Sequence, residues 1–145
     1  KGLDNLFGWF EKHDKLSWTI TLFGAIAIFY FSSIKIYPTS KTLGIKAEIY
    51  HILAFFSFAF ALLVSSIKRE KLRLIPLTIF ISFFYAILDE IHHLYVPGRG
   101  FSLEDLFIWD NSGILIASMV YLILTIKTSH ILKTQKHSQI NGRGK

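Results

Sequence analysis

Four long apolar runs, separated by short polar stretches, dominate the hydrophobic pattern of the chain. In chain order they cover residues 16–37, 49–67, 74–88 and 106–126. A helix needs about 20 apolar residues to cross the hydrocarbon core of a bilayer, with a range of roughly 17–25. Three of the runs are long enough by themselves, and the third becomes so if its helix continues through residues 89–95. The pattern predicts an all-α integral membrane protein with a bundle of four transmembrane helices.

The segments on either side of the runs complete the predicted organisation. Apolar residues near the N-terminus recur at the spacing of one helical face, at Leu3, Leu6, Phe7 and Phe10. We therefore expect residues 1–15 to form an amphipathic helix at the membrane interface, with a disordered tail as the alternative. Residues 16–126 then form the transmembrane domain. Residues 127–145 are polar and basic, and they are expected to form a solvated cytoplasmic tail.

Composition excludes several classes of function. The 145-residue chain is 52% hydrophobic, with 14 Phe and no Cys. The absence of cysteine rules out disulfides, cysteine-based zinc sites and thiol catalysis. The net charge of +6 would suit nucleic acid, but the basic residues lie between apolar runs, where membrane topology places them. We therefore expect no nucleic-acid partner.

The basic residues also predict an orientation. Twelve Lys and Arg residues lie in the N-terminal segment, in the connection between the second and third runs, and in the C-terminal segment. The other two connections hold four. Cytoplasmic loops carry an excess of Lys and Arg. We therefore expect a protein of the cell membrane with both termini in the cytoplasm and with the first and third connections outside.

Ionisable residues gather at the predicted outer ends of the helices. They are His51, Asp89, Glu90, His92, Asp105 and Asp110, with Arg99 in the third connection. A charged side chain at the centre of a span costs roughly 2.5–3.5 kcal/mol on insertion scales, and less near an interface. Several such groups at one level of the membrane therefore indicate that they pair with each other or bind a ligand.

The spacing of these residues favours mutual contact. Asp89 precedes His92 by three residues and His93 by four, so a helix places its carboxylate beside either ring. The Pro-Gly pair at residues 97–98 predicts a type II turn, in which glycine supplies the positive φ. Such a turn would fold Arg99 back onto the acids.

Two further patterns concern the fourth helix. Ser102 precedes Asp105 by three residues, as in a helix-capping arrangement. Gly113 and Ala117 are separated by three residues, a spacing of small side chains that permits close packing of helices. These patterns predict where the helix begins and which of its faces packs against a neighbour.

The stretch "DEIHHLYVPGRGFSLEDLFIWDNSG", residues 89–113, resembles the core motif of the VanZ-like family. That family consists of small multi-span membrane proteins and is named for a teicoplanin-resistance protein. The matching positions are Asp89, Glu90, Ile91, His92, Tyr95, Val96, Pro97, Gly98, Arg99, Ser102, Asp105, Asp110 and Gly113, with a looser match at Lys46 and His51.

The chain also departs from the family pattern. His93 stands where Gln or Ser is common, and Ala117 replaces a frequent Gly. Asp110 follows Asp105 by five residues, where the family more often has four. The resemblance implies a four-span helical protein with an outward-facing motif, and it supplies no agreed chemistry.

Four interpretations of the polar residues stay open. They form a structural clasp of the helix ends, or they bind a lipid headgroup or cell-envelope component through Arg99 and the histidines. They bind a divalent metal, although the His-Glu-x-x-His pattern is absent, or Glu90 and His92 act as acid and base.

The favoured hypothesis is a non-enzymatic protein that binds a lipid headgroup or envelope component. The alternative is an accessory subunit of a larger membrane complex, and a membrane enzyme or metal site comes third. We assign no catalytic residue, no metal ligand and no cofactor. The expected partners are membrane lipids and other membrane subunits.

Overall fold

Helices make up almost all of the chain that the computed structural model describes, which is residues 8–10, 12–35, 41–67 and 71–142. The side chains of residues 41–44, 131–133 and 135–142 are not part of that description. The long helices are α1 (Asp14–Ser32), α2 (Lys41–Ile67), α3 (Ile75–His93) and α4 (Asn111–Gly142). A 3₁₀ turn (Leu72–Leu74) precedes α3, and a π-helix (Asp105–Asp110) leads directly into α4.

Four helical segments are long and apolar enough to cross a membrane, and no strand occurs among the described residues. The predicted all-α membrane bundle is therefore confirmed. The third apolar run does continue helically through its polar end, because α3 ends at His93 and its span covers 22 residues from Leu72. That extension carries the acids and histidines along with the helix.

The apolar pattern does not predict where the last helix ends. The last apolar run ends at residue 126, whereas α4 continues to Gly142. Residues 127–142 contain no proline and several good helix formers, so nothing in them stops a helix. Of the predicted interfacial helix, residues 8–10 and 12 are helical, and residues 1–7 and 11 lie outside the described part.

Helix α2 packs against each of the other three long helices, most extensively against α4. Successive helices run up and down. The C-terminal ends of α1 and α3 therefore meet the N-terminal ends of α2 and α4 at one end of the bundle. Two hydrogen bonds between helices mark this end, Ser32 to Asp89 and His51 to Asp110. We call it the motif end.

Polar contacts also join the helices deeper in the bundle. The Tyr85 hydroxyl donates to the Ala25 carbonyl oxygen at 2.7 Å, which links α3 to α1. The hydroxyls of Thr21 and Ser65 lie 2.9 Å apart and link α1 to α2. Hydrogen bonds between membrane helices stabilise their association by about 0.6 kcal/mol on average. These contacts therefore help to orient α1, which carries the fewest buried apolar side chains among the described residues.

The predicted small-residue face lies between α4 and α2. A Cβ on Gly113 would overlap the carbonyl oxygen of Ile52 and would lie 2.9 Å from the backbone nitrogen of Phe56. Ala117, one turn further along α4, is fully buried. Because both atoms near Gly113 belong to the backbone of α2, neither can rotate away. The prediction of close packing at this pair is confirmed.

Gly113→Ala should therefore destabilise the bundle. We expect a loss of about 1–3 kcal/mol, the usual cost of forcing an extra methyl into a packed interior. Gly24→Ala is the matched control, because a Cβ at Gly24 in α1 meets nothing within 4 Å. Thermal unfolding of the helices in detergent, followed by circular dichroism, measures both. Equal stability of the two variants would contradict the close approach of α4 to α2.

Candidate functional site

The ends of the helices assemble a buried polar cluster at the motif end. Five of its ionisable side chains are 0–4% exposed: His51, Asp89, Glu90, His93 and Asp110. Around them lie Ser32 on α1, Asp105 on the π-helix, and Arg99 and Ser102 in the connection after α3. Side chains that are distant in the sequence thus share one small volume.

The acids that end α3 have different partners. Asp89 Oδ2 accepts a hydrogen bond from the Ser32 hydroxyl at 3.0 Å. Glu90 Oε1 lies 2.9 Å from Nδ1 of His93, one turn further along the helix. The Asp89 carboxylate therefore bonds α1, and its Oδ2 also lies 3.7 Å from Nε2 of His93, the ring whose other nitrogen holds Glu90.

The contact of Arg99 with His93 fixes the proton on that ring. Nη1 of Arg99 lies 2.8 Å from Nε2 of His93. A guanidinium only donates hydrogen bonds, so Nε2 must accept, and the ring is neutral with its proton on Nδ1. That proton is donated to Glu90. The result is a directed chain of hydrogen bonds from Arg99 through His93 to Glu90.

The turn that brings Arg99 to this place is the predicted one. The Arg99 amide donates to the Val96 carbonyl at 3.0 Å, and Gly98 has φ 87°, as the third residue of a type II turn requires. Arg99 folds back, but it contacts no carboxylate within the described part of the chain. Besides His93 it bonds the carbonyls of Ile34 at 3.2 Å and Phe31 at 3.5 Å. Ile34 lies just beyond α1, and the Phe31 carbonyl, in the last turn of α1, also accepts the Ile34 amide at 3.1 Å. Carbonyls at the end of a helix lack donors from the helix itself, so they can accept from a guanidinium.

Ser102 caps the helix that follows, and Glu90 completes the cap. The Ser102 hydroxyl accepts the Asp105 amide at 3.0 Å, which confirms the predicted capping arrangement. In a capping box the side chain of the third helical residue accepts the amide of the cap residue. Here Oε2 of Glu90 accepts the Ser102 amide instead, at 2.7 Å. The carboxylate of Asp105 is thereby released, and it hydrogen-bonds no other side chain among the described residues.

The π-helix determines where its two acids lie. Its hydrogen bonds span five residues, so Asp105 and Asp110 sit about one turn apart. Asp110 Oδ1 accepts the Nδ1 proton of His51 at 2.8 Å. One ligand atom each from His51, Glu90 and Asp105 lies within 4.8 Å of the others, and the same holds for Asp89, Glu90 and His93. Either group has the residue types that bind divalent metals.

The structure brings together six of the seven site residues predicted from the sequence: His51, Asp89, Glu90, Arg99, Asp105 and Asp110. His92 points elsewhere. Its Nε2 lies 2.9 Å from the Ser33 hydroxyl, and its ring packs on Phe29 with centroids 4.2 Å apart. His93 occupies the central position that sequence reasoning left unassigned. The signal for it was its spacing, three residues after Glu90 and four after Asp89.

Comparison with known proteins shows the family of this chain. A family model described as VanZ/LLP1 matches residues 6–125 of the chain. The chain belongs to the VanZ/LLP1 family. The matched segment contains every residue of the polar cluster. Neither the curated proteins nor the solved structures gave a significant match.

Glu90→Gln should destabilise this family member, because the side chain at position 90 would then offer one acceptor oxygen to two buried donors. A glutamine has a single carbonyl oxygen, so either the Ser102 amide or the His93 ring would lose its buried acceptor. We expect a loss of about 1–3 kcal/mol, the cost of an unsatisfied buried donor. Glu104→Gln, at an exposed position nearby, is the control and should be neutral. Unfolding in detergent measures both, and a neutral Glu90→Gln would contradict the double role of Glu90.

Proposed function

We propose that this protein binds the headgroup of a membrane lipid, or another anionic component of the cell envelope, at the motif end. The observation that supports the proposal is the state of Arg99. Three protein acceptors fix its guanidinium, which remains only partly buried. A guanidinium has five N–H bonds, so two remain for a ligand.

The fixed position of Arg99 favours binding of an anion. A side chain already held by the protein loses little conformational entropy when a ligand arrives. Guanidinium groups bind phosphate and carboxylate through two parallel hydrogen bonds. Within the described residues no carboxylate pairs with Arg99, so its charge is not already offset by a direct ion pair. The nearby contact between Ser33 and His92 is exposed, and it adds polar groups at the same surface.

The distribution of charge supports an outward orientation of the motif end. Lys35, Lys46 and Arg99 lie at that end of the bundle, whereas the opposite end and the C-terminal segment carry most of the basic residues. By the positive-inside rule, both termini then lie in the cytoplasm of a protein in the cell membrane. The site would face the extracytoplasmic leaflet and its headgroups.

The alternative role as an accessory subunit loses one of its supporting features. The small-residue face at Gly113 and Ala117 suits the packing of a partner helix in the sequence alone. In the structure α2 of the same chain occupies that face. The polar cluster is therefore the better basis for a function.

Arg99→Gln should weaken the retention of anionic lipid. We expect a loss of about tenfold in affinity, equivalent to about 1.4 kcal/mol, because the variant lacks the charge that meets the headgroup. Native mass spectrometry in gentle detergent, with added phosphatidylglycerol or phosphatidylcholine, measures retention of each lipid. Arg73→Gln, exposed at the opposite end of the bundle, is the control and should behave as wild type.

Two results would contradict the proposal. One is equal retention of the anionic and the zwitterionic lipid by the wild-type protein. The other is unchanged retention of phosphatidylglycerol by Arg99→Gln. A lower melting temperature of that variant, without a change in lipid preference, would assign Arg99 to the structural clasp alone.

The orientation has its own test, made simple by the absence of cysteine in the chain. A cysteine at Gly100, which is exposed and has nothing within 4 Å of its Cβ position, should react with an impermeant maleimide on intact cells. A cysteine at the exposed Lys71 should react only after permeabilisation. The reverse pattern would place the motif end in the cytoplasm.

A further inference from the structure

We propose that His51, Glu90 and Asp105 bind a divalent metal ion, with Asp110 as a positioning residue behind His51. The residues come from α2, α3 and the π-helix, and one ligand atom of each lies within 4.8 Å of the others. Two metal bonds of 2.0–2.2 Å span about 4 Å, so a small contraction would bring all three atoms onto one ion. This proposal does not depend on headgroup binding.

The orientation of His51 is the one that metal-binding histidines adopt. Its Nδ1 donates to Asp110 Oδ1 at 2.8 Å, which leaves Nε2 with a free lone pair. Metal-binding histidines nearly always donate their other ring proton to a carboxylate or carbonyl, which fixes the tautomer and makes the ring a better ligand. Both residues are buried, so this tautomer is held in place by the fold.

Asp105 supplies a carboxylate that makes no side-chain hydrogen bond within the described part of the chain. Glu90 accepts the Ser102 amide, the hydrogen bond that the side chain of Asp105 would accept in a capping box. Asp105 is half-buried and lies on the π-helix, one turn before Asp110. Its oxygens are thus available beside His51 and Glu90.

Glu90 keeps lone pairs for an ion although both of its oxygens accept hydrogen bonds. Oε1 accepts from His93 and Oε2 from Ser102, and each carboxylate oxygen has a further lone pair. Donors on both oxygens fix the direction of the carboxylate. Its position beside His51 is therefore set by the helix cap and by the Arg99–His93 chain.

Charge also favours a cation at this place. Glu90, Asp105 and Asp110 lie around the single imidazole of His51, and Oδ2 of Asp110 has no hydrogen-bond partner among the described residues. Arg99 contacts His93 and none of these acids. Buried carboxylates that lack a counter-charge are costly, and a divalent ion would offset two of them.

The neighbouring group of Asp89, Glu90 and His93 suits a metal less well. Both ring nitrogens of His93 are engaged, Nδ1 by Glu90 and Nε2 by Arg99. The guanidinium lies 2.8 Å from that Nε2, and it would repel a cation there. The two groups share Glu90, but only the group with His51 has a ring nitrogen that keeps a free lone pair. Asp89, which belongs to the other group, therefore serves as an internal control for metal binding.

One imidazole with two carboxylates suits zinc, manganese or ferrous iron better than a thiolate-seeking metal. The test is isothermal titration of chelator-treated protein in detergent with Zn²⁺, Mn²⁺ and Mg²⁺, each alone. We expect one Zn²⁺ or Mn²⁺ per chain, with a loss of at least about tenfold in affinity in Asp105→Asn and in His51→Gln. Asp110→Asn should keep the stoichiometry and weaken affinity by about 10–100-fold, as outer-shell changes do.

Asp105→Asn is the decisive variant, because its carboxylate makes no hydrogen bond that the described fold needs. It should melt like the wild type, which excludes unfolding as the cause of lost binding. Glu104→Gln, one residue earlier and exposed, is its matched control and should bind metal normally, as should Asp89→Asn. Absence of stoichiometric binding in the wild type would overturn the proposal. So would wild-type affinity in Asp105→Asn, or an equal loss in Asp89→Asn. Lipid is not added, so a failure of headgroup binding leaves the result unaffected.

Discussion

A fully buried carboxylate at the end of a membrane helix is the constraint on which the motif end depends. Glu90 has no exposure, and it meets its need for donors with the ring of His93 and the amide of Ser102. The first partner lies on the same helix, but the second lies after the turn. Satisfying this one side chain therefore ties the connection after α3 against the helix end, and it sets where the next helix begins.

The same requirement extends through His93 to α1. A neutral ring that donates to Glu90 must accept at its other nitrogen, and Arg99 provides that donor. The guanidinium in turn bonds the carbonyl of Phe31 in the last turn of α1 and that of Ile34 just beyond the helix. Each hydrogen bond in this series is donated in the same direction, from Arg99 to His93 and from His93 to Glu90, so each group supports the next. The arginine is thus anchored from the inside, and its remaining N–H bonds are left at the surface.

Local patterns in the sequence predicted much of this end of the bundle. The four spans followed from run lengths, the turn at residues 97–98 from Pro and Gly, and the helix start from Ser102. The choice between His92 and His93 could not be predicted, because a helix brings either ring near Asp89. That choice depends on Ser33, directly after α1, whose hydroxyl lies 2.9 Å from Nε2 of His92. Only the tertiary structure contains that information.

The spacing of Asp105 and Asp110 shows a second limit. Five residues of α-helix rotate a side chain by about 140° beyond a full turn, so regular geometry would separate these acids. The π-helix lowers the rotation per residue and returns both to one site. The hydrophobic pattern of the sequence does not predict a π-helix, because that helix depends on the packing of the tertiary structure.

The polar groups of the cluster differ in whether the protein satisfies their hydrogen bonds. Both oxygens of Glu90 and both ring nitrogens of His93 are hydrogen-bonded within the protein, so these side chains hold the motif end together, and Glu90 still keeps further lone pairs. Among the described residues, no hydrogen bond engages His51 Nε2, the Asp105 carboxylate or the two remaining N–H bonds of Arg99. Each such group beside a membrane adds a desolvation cost, which a bound ligand or ion would offset. A structural clasp and a binding site are therefore compatible here, because the clasp positions polar groups whose donors and acceptors it leaves free for a ligand.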